Sequence, residues 1–381
     1  MIYETEETRE YRHHLSRWVD ERLKPRAEEL DNSGEFSIEL FREIGELGYL
    51  GTMYSEEAGG SGLKKPYTCF TILCEELARA SVGFAAGVCM QGSTSTHTLH
   101  AWGDEEVKTN FFLPALKGEK IGAFAITEPN AGSDAASLKT KAQKTEGGWL
   151  LNGTKVFTTN GTVADFLTVV ATTDPALKAK GLELFLVDKT SPGFSVGRKL
   201  DKFSVHCSDT AELIFENVFV PDNRRLNNGS GSSFLNAYQA LTVDRIFTAA
   251  LAIGVGRAAY DASLQYIQDR KQFGQPVGKF QAVQFRQVEM LAKLEAARLY
   301  TYHAANLADQ SKDITREAAL AKIIAAENCN EVCHMAMLNY GGWGLMNEFP
   351  VQRFLRDSYF PMVGGGTGDI MRMIVARQIG L

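Results

Sequence analysis

The residues best suited to chemistry in this chain lie between Ile121 and Gly161. A short apolar run, Ala123-Phe124-Ala125-Ile126, leads into Thr127-Glu128-Pro129-Asn130-Ala131-Gly132-Ser133-Asp134, and Gly153-Thr154-Lys155-Val156-Phe157-Thr158-Thr159-Asn160-Gly161 follows on a second strand. A strand that ends in Thr-Glu-Pro and opens into a Gly-Ser turn presents hydroxyls and backbone N–H groups. These suit the polar edge and phosphates of a nucleotide cofactor. Strand ends beside glycine turns also occur with no ligand, so either half alone is a modest signal. No metal is expected. Cys329, Cys333 and His334 have ligand-like spacing on one helix face, but the run Ala325 to Leu338 is largely apolar and its thiols are expected to pack as small hydrophobes.

At 381 residues the chain is too long for one small core and fits two or three domains. Its 44% hydrophobic and 23% charged content is that of a globular enzyme, and the net charge of -6 argues against nucleic acid or an anionic membrane as the main partner. The sequence shows no leader pattern and no apolar run long enough to span a bilayer, so a cytoplasmic protein is expected. Cys69, Cys74, Cys89, Cys207, Cys329 and Cys333 fall in neither a disulfide nor a zinc spacing.

The elements that must position these residues change in type along the chain. Tyr11, Leu15, Trp18, Val19 and Leu23 recur at helical spacing up to Pro25, and a second helix starts at Ser37 with Leu40, Phe41, Ile44 and Leu47 on one face. The stretch Ser55 to Gly62 is too glycine-rich for regular structure. Helical patterns resume over Tyr67 to Arg79, Phe84 to Ala101 and Glu105 to Leu116. From Ile121 the period becomes that of strands: Trp149 to Gly153, Phe166 to Ala171, Leu182 to Val187, Phe194 to Val196 and Glu212 to Phe215, closed by Phe215 to Pro221. That is the composition of a small antiparallel β-barrel or sandwich. After a Gly/Ser/Asn linker from Asn227 to Ser233, long helices are expected over Phe234 to Gln268, Gln281 to Asp309, Thr315 to Leu338 and Ile370 to Ile379. They imply a four-helix bundle. The predicted fold class is α+β, with an N-terminal α-helical domain over 1–120, a middle β domain over 121–226 and a C-terminal α-helical bundle over 227–381.

The two halves of the first stretch together resemble the signature of the acyl-CoA dehydrogenase family of flavoproteins, Thr-Glu-x-x-Ala-Gly-Ser-Asp followed by Asn-Gly-x-Lys-x-(aromatic)-Ile-Thr-Asn. The resemblance extends over nearly the whole chain. The segment Asp269 to Gln281 is similar to the family's Arg-x-x-Phe-Gly motif and its following Gln. Tyr340-Gly341-Gly342-Trp343-Gly344 resembles its Gly-Gly-x-Gly loop, and Gly365-Gly366-Thr367 through Arg377 resembles its C-terminal segment.

The resemblance implies a homodimer or homotetramer that binds FAD. Phe124, Ile126, Thr127, Gly132 and Ser133 would line the isoalloxazine and pyrophosphate. Phe157, Thr158 and Thr159 would cover the ring, with the Thr159 hydroxyl near flavin N5. Arg270, Phe273 and Gln281 would reach the FAD of a neighbouring subunit, and Leu338, Gly342, Thr367 and Asp369 would complete the cofactor contacts. Leu338 stands where the family commonly has glutamine, and Phe157 where it commonly has tryptophan.

The chemistry implied is removal of the α-proton of an acyl thioester by a carboxylate, with hydride passing from Cβ to flavin N5. Many family members carry that glutamate just before the C-terminal Gly-Thr, where this chain has Gly365. A branch that includes isovaleryl- and long-chain-type enzymes places it on the first long bundle helix before an arginine, which makes Asp244, followed by Arg245, the candidate base. The alternative for Asp244 is a surface carboxylate paired with a lysine or arginine. The Gly365 backbone N–H would bind the thioester oxygen, and Ser133, Gln91, Arg245 and Gly366 would contact substrate. Cys89, Gln91, Ser93 and Thr96 suggest a polar pocket wall and hence a short, branched, cyclic or functionalised acyl group. His97 and His100 are expected to pack rather than react. Three activities fit: an acyl-CoA dehydrogenase passing electrons to an electron-transfer flavoprotein, an acyl-carrier-protein dehydrogenase or enoyl-thioester reductase, and a non-dehydrogenase flavoprotein of the same fold.

Overall fold

The computed structural model describes residues 4–227 and 233–381, without side chains for 235–240. The linker expected from Asn227 to Ser233 lies almost wholly outside them. The first part of the chain is helical: α1 (Glu6–Trp18), α2 (Ala27–Ser33), α3 (Ile38–Glu46), α4 (Pro66–Ala80), α5 (Val82–Met90), α6 (Thr96–Trp102), α7 (Glu105–Val107) and α8 (Leu113–Leu116). Leu15, Trp18, Val19 and Leu23 are buried, as their spacing requires, and Ser37 caps α3 by accepting from the Leu40 N–H at 3.3 Å. One π-helical turn, Gln91–Ser95, joins α5 to α6 where a single helix was expected from Phe84 to Ala101.

The middle of the chain forms a seven-stranded sheet: β1 (Gly122–Ala125), β2 (Lys141–Thr145), β3 (Gly148–Thr159), β4 (Phe166–Thr172), β5 (Leu182–Asp188), β6 (Phe194–Lys199) and β7 (Thr210–Pro221). The order β1-β4-β2-β3-β7-β6, with β5 on β4, is mixed rather than wholly antiparallel. Along β4, β5 pairs antiparallel on one edge, while β1 and the start of β2 pair parallel on the other. A parallel partner needs a long crossover, and the β2–β3 hairpin supplies it between β1 and β4. Strand β2 was not foreseen, since Lys141-Ala142-Gln143-Lys144-Thr145 buries little but Ala142.

The last part comprises α9 (Ser233–Asp269), a small hairpin of β8 (Lys271–Gln272) and β9 (Gln275–Pro276), then α10 (Gln281–Asp309), α11 (Thr315–Tyr340), α12 (Val351–Ser358), α13 (Phe360–Val363) and α14 (Gly368–Gln378). Helices α9, α10 and α11 pack on one another and α14 packs on α11, while α4 from the first part packs along α9. One apolar core therefore runs through both helical regions.

That junction also buries charge. Glu75 on α4, with no exposed surface, accepts from Arg257 at 2.6 Å, Arg298 at 3.0 Å, Arg12 at 3.3 Å and the Tyr302 hydroxyl. Its neighbour Glu76 pairs with Arg12 and Arg257, each at 2.7 Å. Burial alone would raise the Glu75 pKa, but the guanidiniums of Arg12, Arg257 and Arg298 hold it well below the ordinary carboxylate range. The cluster joins α1, α4, α9 and α10. Glu75→Gln would leave guanidiniums facing one another without their central charge, and should cost about 3–5 kcal/mol in urea unfolding.

Candidate active site

The site starts with an irregularity in β3. Its pairing with β7 slips between Lys155 and Thr158, and Phe157 sits at φ 59°. A β-bulge of this kind re-aims a side chain, and here it turns Phe157 outward, 67% exposed. A bulky residue in the left-handed region stores strain of about 1–3 kcal/mol, so the surroundings must hold it there. Asn160, itself at φ 63° and fully buried, does so at one end. Its Nδ2 donates to the carbonyls of Gly87 at 3.1 Å and Gly122 at 3.2 Å.

Lys155 holds the other end. Its ammonium has no exposed surface and donates to the Ile126 carbonyl at 2.9 Å and to Glu128 Oε1 at 2.8 Å. Glu128 in turn accepts the N–H groups of Lys139 at 2.6 Å and Thr140 at 2.9 Å, and the Val156 N–H donates to the Thr127 carbonyl at 2.8 Å. Burial pulls the Lys155 ammonium down to about 8, with Glu128 opposing it. This pairing sets Ile126 and Thr127 beside Phe157, with Gly132 and Ser133 exposed on the turn that follows. Phe124 is buried on β1, and Thr159 is half-buried. Thr158 faces inward instead of covering the exposed face, and its buried Oγ1 has no hydrogen-bond partner among the described residues.

A second group forms around Asp244 on α9. Its Oδ1 accepts from the Ser93 hydroxyl at 2.8 Å and lies 3.8 Å from Cys89 Sγ. Gly365 lies opposite: a Cβ built there would stand 3.5 Å from Asp244 Oδ2 and 3.1 Å from Thr248 Oγ1, on a backbone at φ +67°. Burial raises the Asp244 carboxyl above its usual range, against the hydrogen bonds from Ser93 and Cys89 and the charges of Arg245 and Lys322. Arg245 is buried, with one guanidinium nitrogen 3.3 Å from Thr242 Oγ1. Gly366, at φ +103°, accepts from Lys322.

Gln91 corrects the expected pocket wall. It has no exposed surface, donates to the carbonyls of Ala115 and Lys120 at 2.9 Å each, and accepts the Gly122 N–H at 2.7 Å. Its amide is consumed in bracing the loop before β1, so it is not a substrate contact. Thr96 is likewise turned inward, bonded to the Gln91 carbonyl at 2.8 Å and to Tyr54 at 2.7 Å.

Other expected residues form a third group on the bundle. Arg270, Leu338 and Gly342 line one groove of about 540 Å³. Phe273, on the β8–β9 turn, is 94% exposed, and Gln281 is exposed at the start of α10. Thr367 caps α14, accepting from the Ile370 N–H at 3.4 Å, and Asp369 is exposed beside it. Among the described residues no cluster could hold a metal ion, and no helix is long and apolar enough to cross a membrane.

Family models match the chain in three consecutive blocks: the acyl-CoA dehydrogenase N-terminal domain over residues 5–119, the middle domain over 123–218 and the C-terminal domain over 232–380. The chain belongs to the acyl-CoA dehydrogenase family. It is 40% identical to benzylmalonyl-CoA dehydrogenase of Aromatoleum aromaticum over 98% of each chain. Butyryl-CoA dehydrogenase from Megasphaera elsdenii superposes with a TM-score of 0.95 at 34% identity, covering 99% of this chain and 98% of that one. A chain from structural work on the electron transferring flavoprotein of Acidaminococcus fermentans superposes at 0.96, also 34% identical, covering 100% and 99%.

Acyl-CoA dehydrogenases use FAD to dehydrogenate acyl-CoA thioesters. The residues present fit that cofactor: an outward aromatic face at Phe157 suits a flat ring, and the open turn at Gly132 and Ser133 suits a phosphate edge. Phe157 in place of tryptophan keeps the aromatic face. The family signature is thus read physically as two segments locked by one buried ion pair. Lys155→Met would strand the Glu128 carboxylate beside two backbone donors; we expect a loss of about 3–5 kcal/mol in chemical unfolding, with reduced FAD content on purification, and a smaller loss for the Lys155→Met, Glu128→Gln double variant.

Proposed function

We propose that the protein oxidises an acyl-CoA thioester between Cα and Cβ, with Asp244 as the base that removes the α-proton. The observation that carries this reading is that Asp244 Oδ2 lies 3.5 Å from where a Cβ at Gly365 would stand, with Oδ1 tied to Ser93. One oxygen is fixed, and the other is directed at the loop. The position that holds the glutamate in many relatives has no side chain here, so the space it would fill is open to a carboxylate from α9. Partial burial makes Asp244 a stronger base than a solvated aspartate, as proton abstraction from carbon requires.

The backbone N–H of Gly365 is the donor for the thioester oxygen, where it stabilises the enolate-like charge that develops as the proton leaves. FAD, when bound, supplies the hydride acceptor. The chain's part toward it is to hold the ring and phosphates with Phe124, Ile126, Thr127, Gly132, Ser133, Phe157 and Thr159. Thr158 serves behind that face. Arg270, Phe273, Gln281, Leu338 and Gly342 reach the cofactor of a neighbouring subunit in a homodimer or homotetramer, with Thr367 and Asp369 at the start of α14. The exposure of Phe273 and of Phe285 and Val288 on α10 supports such a partner. Arg270 suits a diphosphate because its planar fork pairs with two oxygens. Electrons then pass to an electron-transfer flavoprotein, in line with the Acidaminococcus relative, and the enzyme acts in the cytoplasm. The acyl group is short, branched, cyclic or functionalised, a reading supported by the relative named for benzylmalonyl-CoA. Ser133, Arg245 and Gly366 would border it.

Anaerobic mixing of the FAD-loaded enzyme with a panel of saturated short, branched, cyclic and carboxylated acyl-CoA thioesters should bleach the flavin absorbance with at least one of them. Asp244→Asn should keep its FAD and lose the bleaching; bleaching that survives this change would move the base elsewhere. Because the ionised carboxylate is the active form, the rate rises with pH through the Asp244 pKa. Ser93→Ala removes a hydrogen bond to that form, so the acid limb of the kcat/KM profile should move up by about one pH unit.

A further inference from the structure

Lys322 lies on α11 with 1% of its surface exposed, a cost that demands partners. Its ammonium donates to the main-chain carbonyl of Gly366 and, at 3.4 Å, to that of Met362. Those two carbonyls bracket Val363-Gly364-Gly365, the last residue of α13 and the start of its link to α14. Three consecutive glycines, Gly364 to Gly366, two of them at positive φ, give this link more conformational freedom to lose than any other composition would. Local order in the link comes from the Gly364 N–H donating to the Phe360 carbonyl at 2.8 Å and from the Thr367 cap. Neither bond spans Gly365 itself.

We infer that Lys322 is a positioning residue, which clamps the glycine loop from behind so that Gly365 faces Asp244 and sets the charge that Asp244 meets there. The inference rests on the proposed role of Asp244, but the clamp can be tested apart from it. The groups that act on Asp244 are Ser93 and Cys89 from the α5 side, Arg245 on its own helix, and Lys322 from α11. Lys322 in turn is faced by Arg245 and Asp244 from α9 and by Glu327 on α11. Burial and the Arg245 charge pull its ammonium down to about 8, against the charges of Asp244 and Glu327. A cation there favours the ionised form of Asp244, which offsets part of the effect of burial.

The test uses the full-length, FAD-loaded protein and two variants. Lys322→Met removes donor and charge at similar volume; Lys322→Gln keeps a donor and removes the charge. Amide hydrogen exchange in peptides covering 360–371 should quicken about tenfold or more in Lys322→Met and less in Lys322→Gln. The acid limb of kcat/KM should rise by about one pH unit in both, with FAD content kept. Unchanged exchange in Lys322→Met overturns the clamp, and an unchanged acid limb in both variants overturns the charge role. If Lys322→Met does not fold, Lys322→Gln decides: a raised acid limb supports the inference and a wild-type one sinks it. Should the wild-type enzyme turn over no thioester, the proposed function fails, while the exchange result still judges the clamp.

Discussion

A lysine ammonium without any exposed surface is the constraint from which the junction of β1 and β3 follows. Removed from water, Lys155 must be met by hydrogen bonds and an opposite charge, and the Ile126 carbonyl and Glu128 supply them. Those partners lie in the turn after β1, so the demand of one buried charge brings the turn and β3 into a single register. With Lys155 pointing inward and Asn160 anchored to Gly87 and Gly122, the chain between them cannot keep regular alternation. The bulge at Phe157 is the result, and an aromatic face left in solvent is what the bulge leaves behind.

The other half of the site depends on the long helix α9. It carries Asp244 in its first half and Arg257 in its second, where Glu75 and Glu76 bind it to α4. Ser93 and Cys89, which hold Asp244, follow α4 in the chain. The orientation of the proposed base is therefore fixed from the same helical region that the Glu75 cluster secures. Stability and site geometry share elements here, so a change in the α4–α9 contact is felt at Asp244.

Much of this was legible in the sequence because the relevant signals are local. The helices with regular apolar spacing, the strands between Trp149 and Phe215, and the paired motifs around Glu128 and Lys155 stand out by pattern and composition. What escaped was decided by tertiary context. Strand β2 has almost no apolar alternation and exists because β3 and β4 accept its backbone. Gln91 looked like a pocket residue because a polar side chain in a helical stretch suggests a ligand; instead its amide satisfies three backbone groups around β1. Lys322 gave no signal, since a lysine in a helix reads as solvent-facing until the fold closes over it.

Gly365 in the loop and Asp244 on α9 are best understood as one feature. Gly365 adopts φ +67°, a conformation that costs glycine little and most other residues more. A Cβ there would stand 3.5 Å from Asp244 Oδ2, so the absent side chain leaves room in front of that carboxylate. A glutamate on the same helix would carry its oxygens one methylene farther, toward the space that the loop backbone and Thr248 already border. Conversely, a side chain restored at 365 would meet Thr248 Oγ1 at 3.1 Å. Length at 244 and vacancy at 365 thus constrain each other, and the loop can keep its glycines only while another element holds it in place.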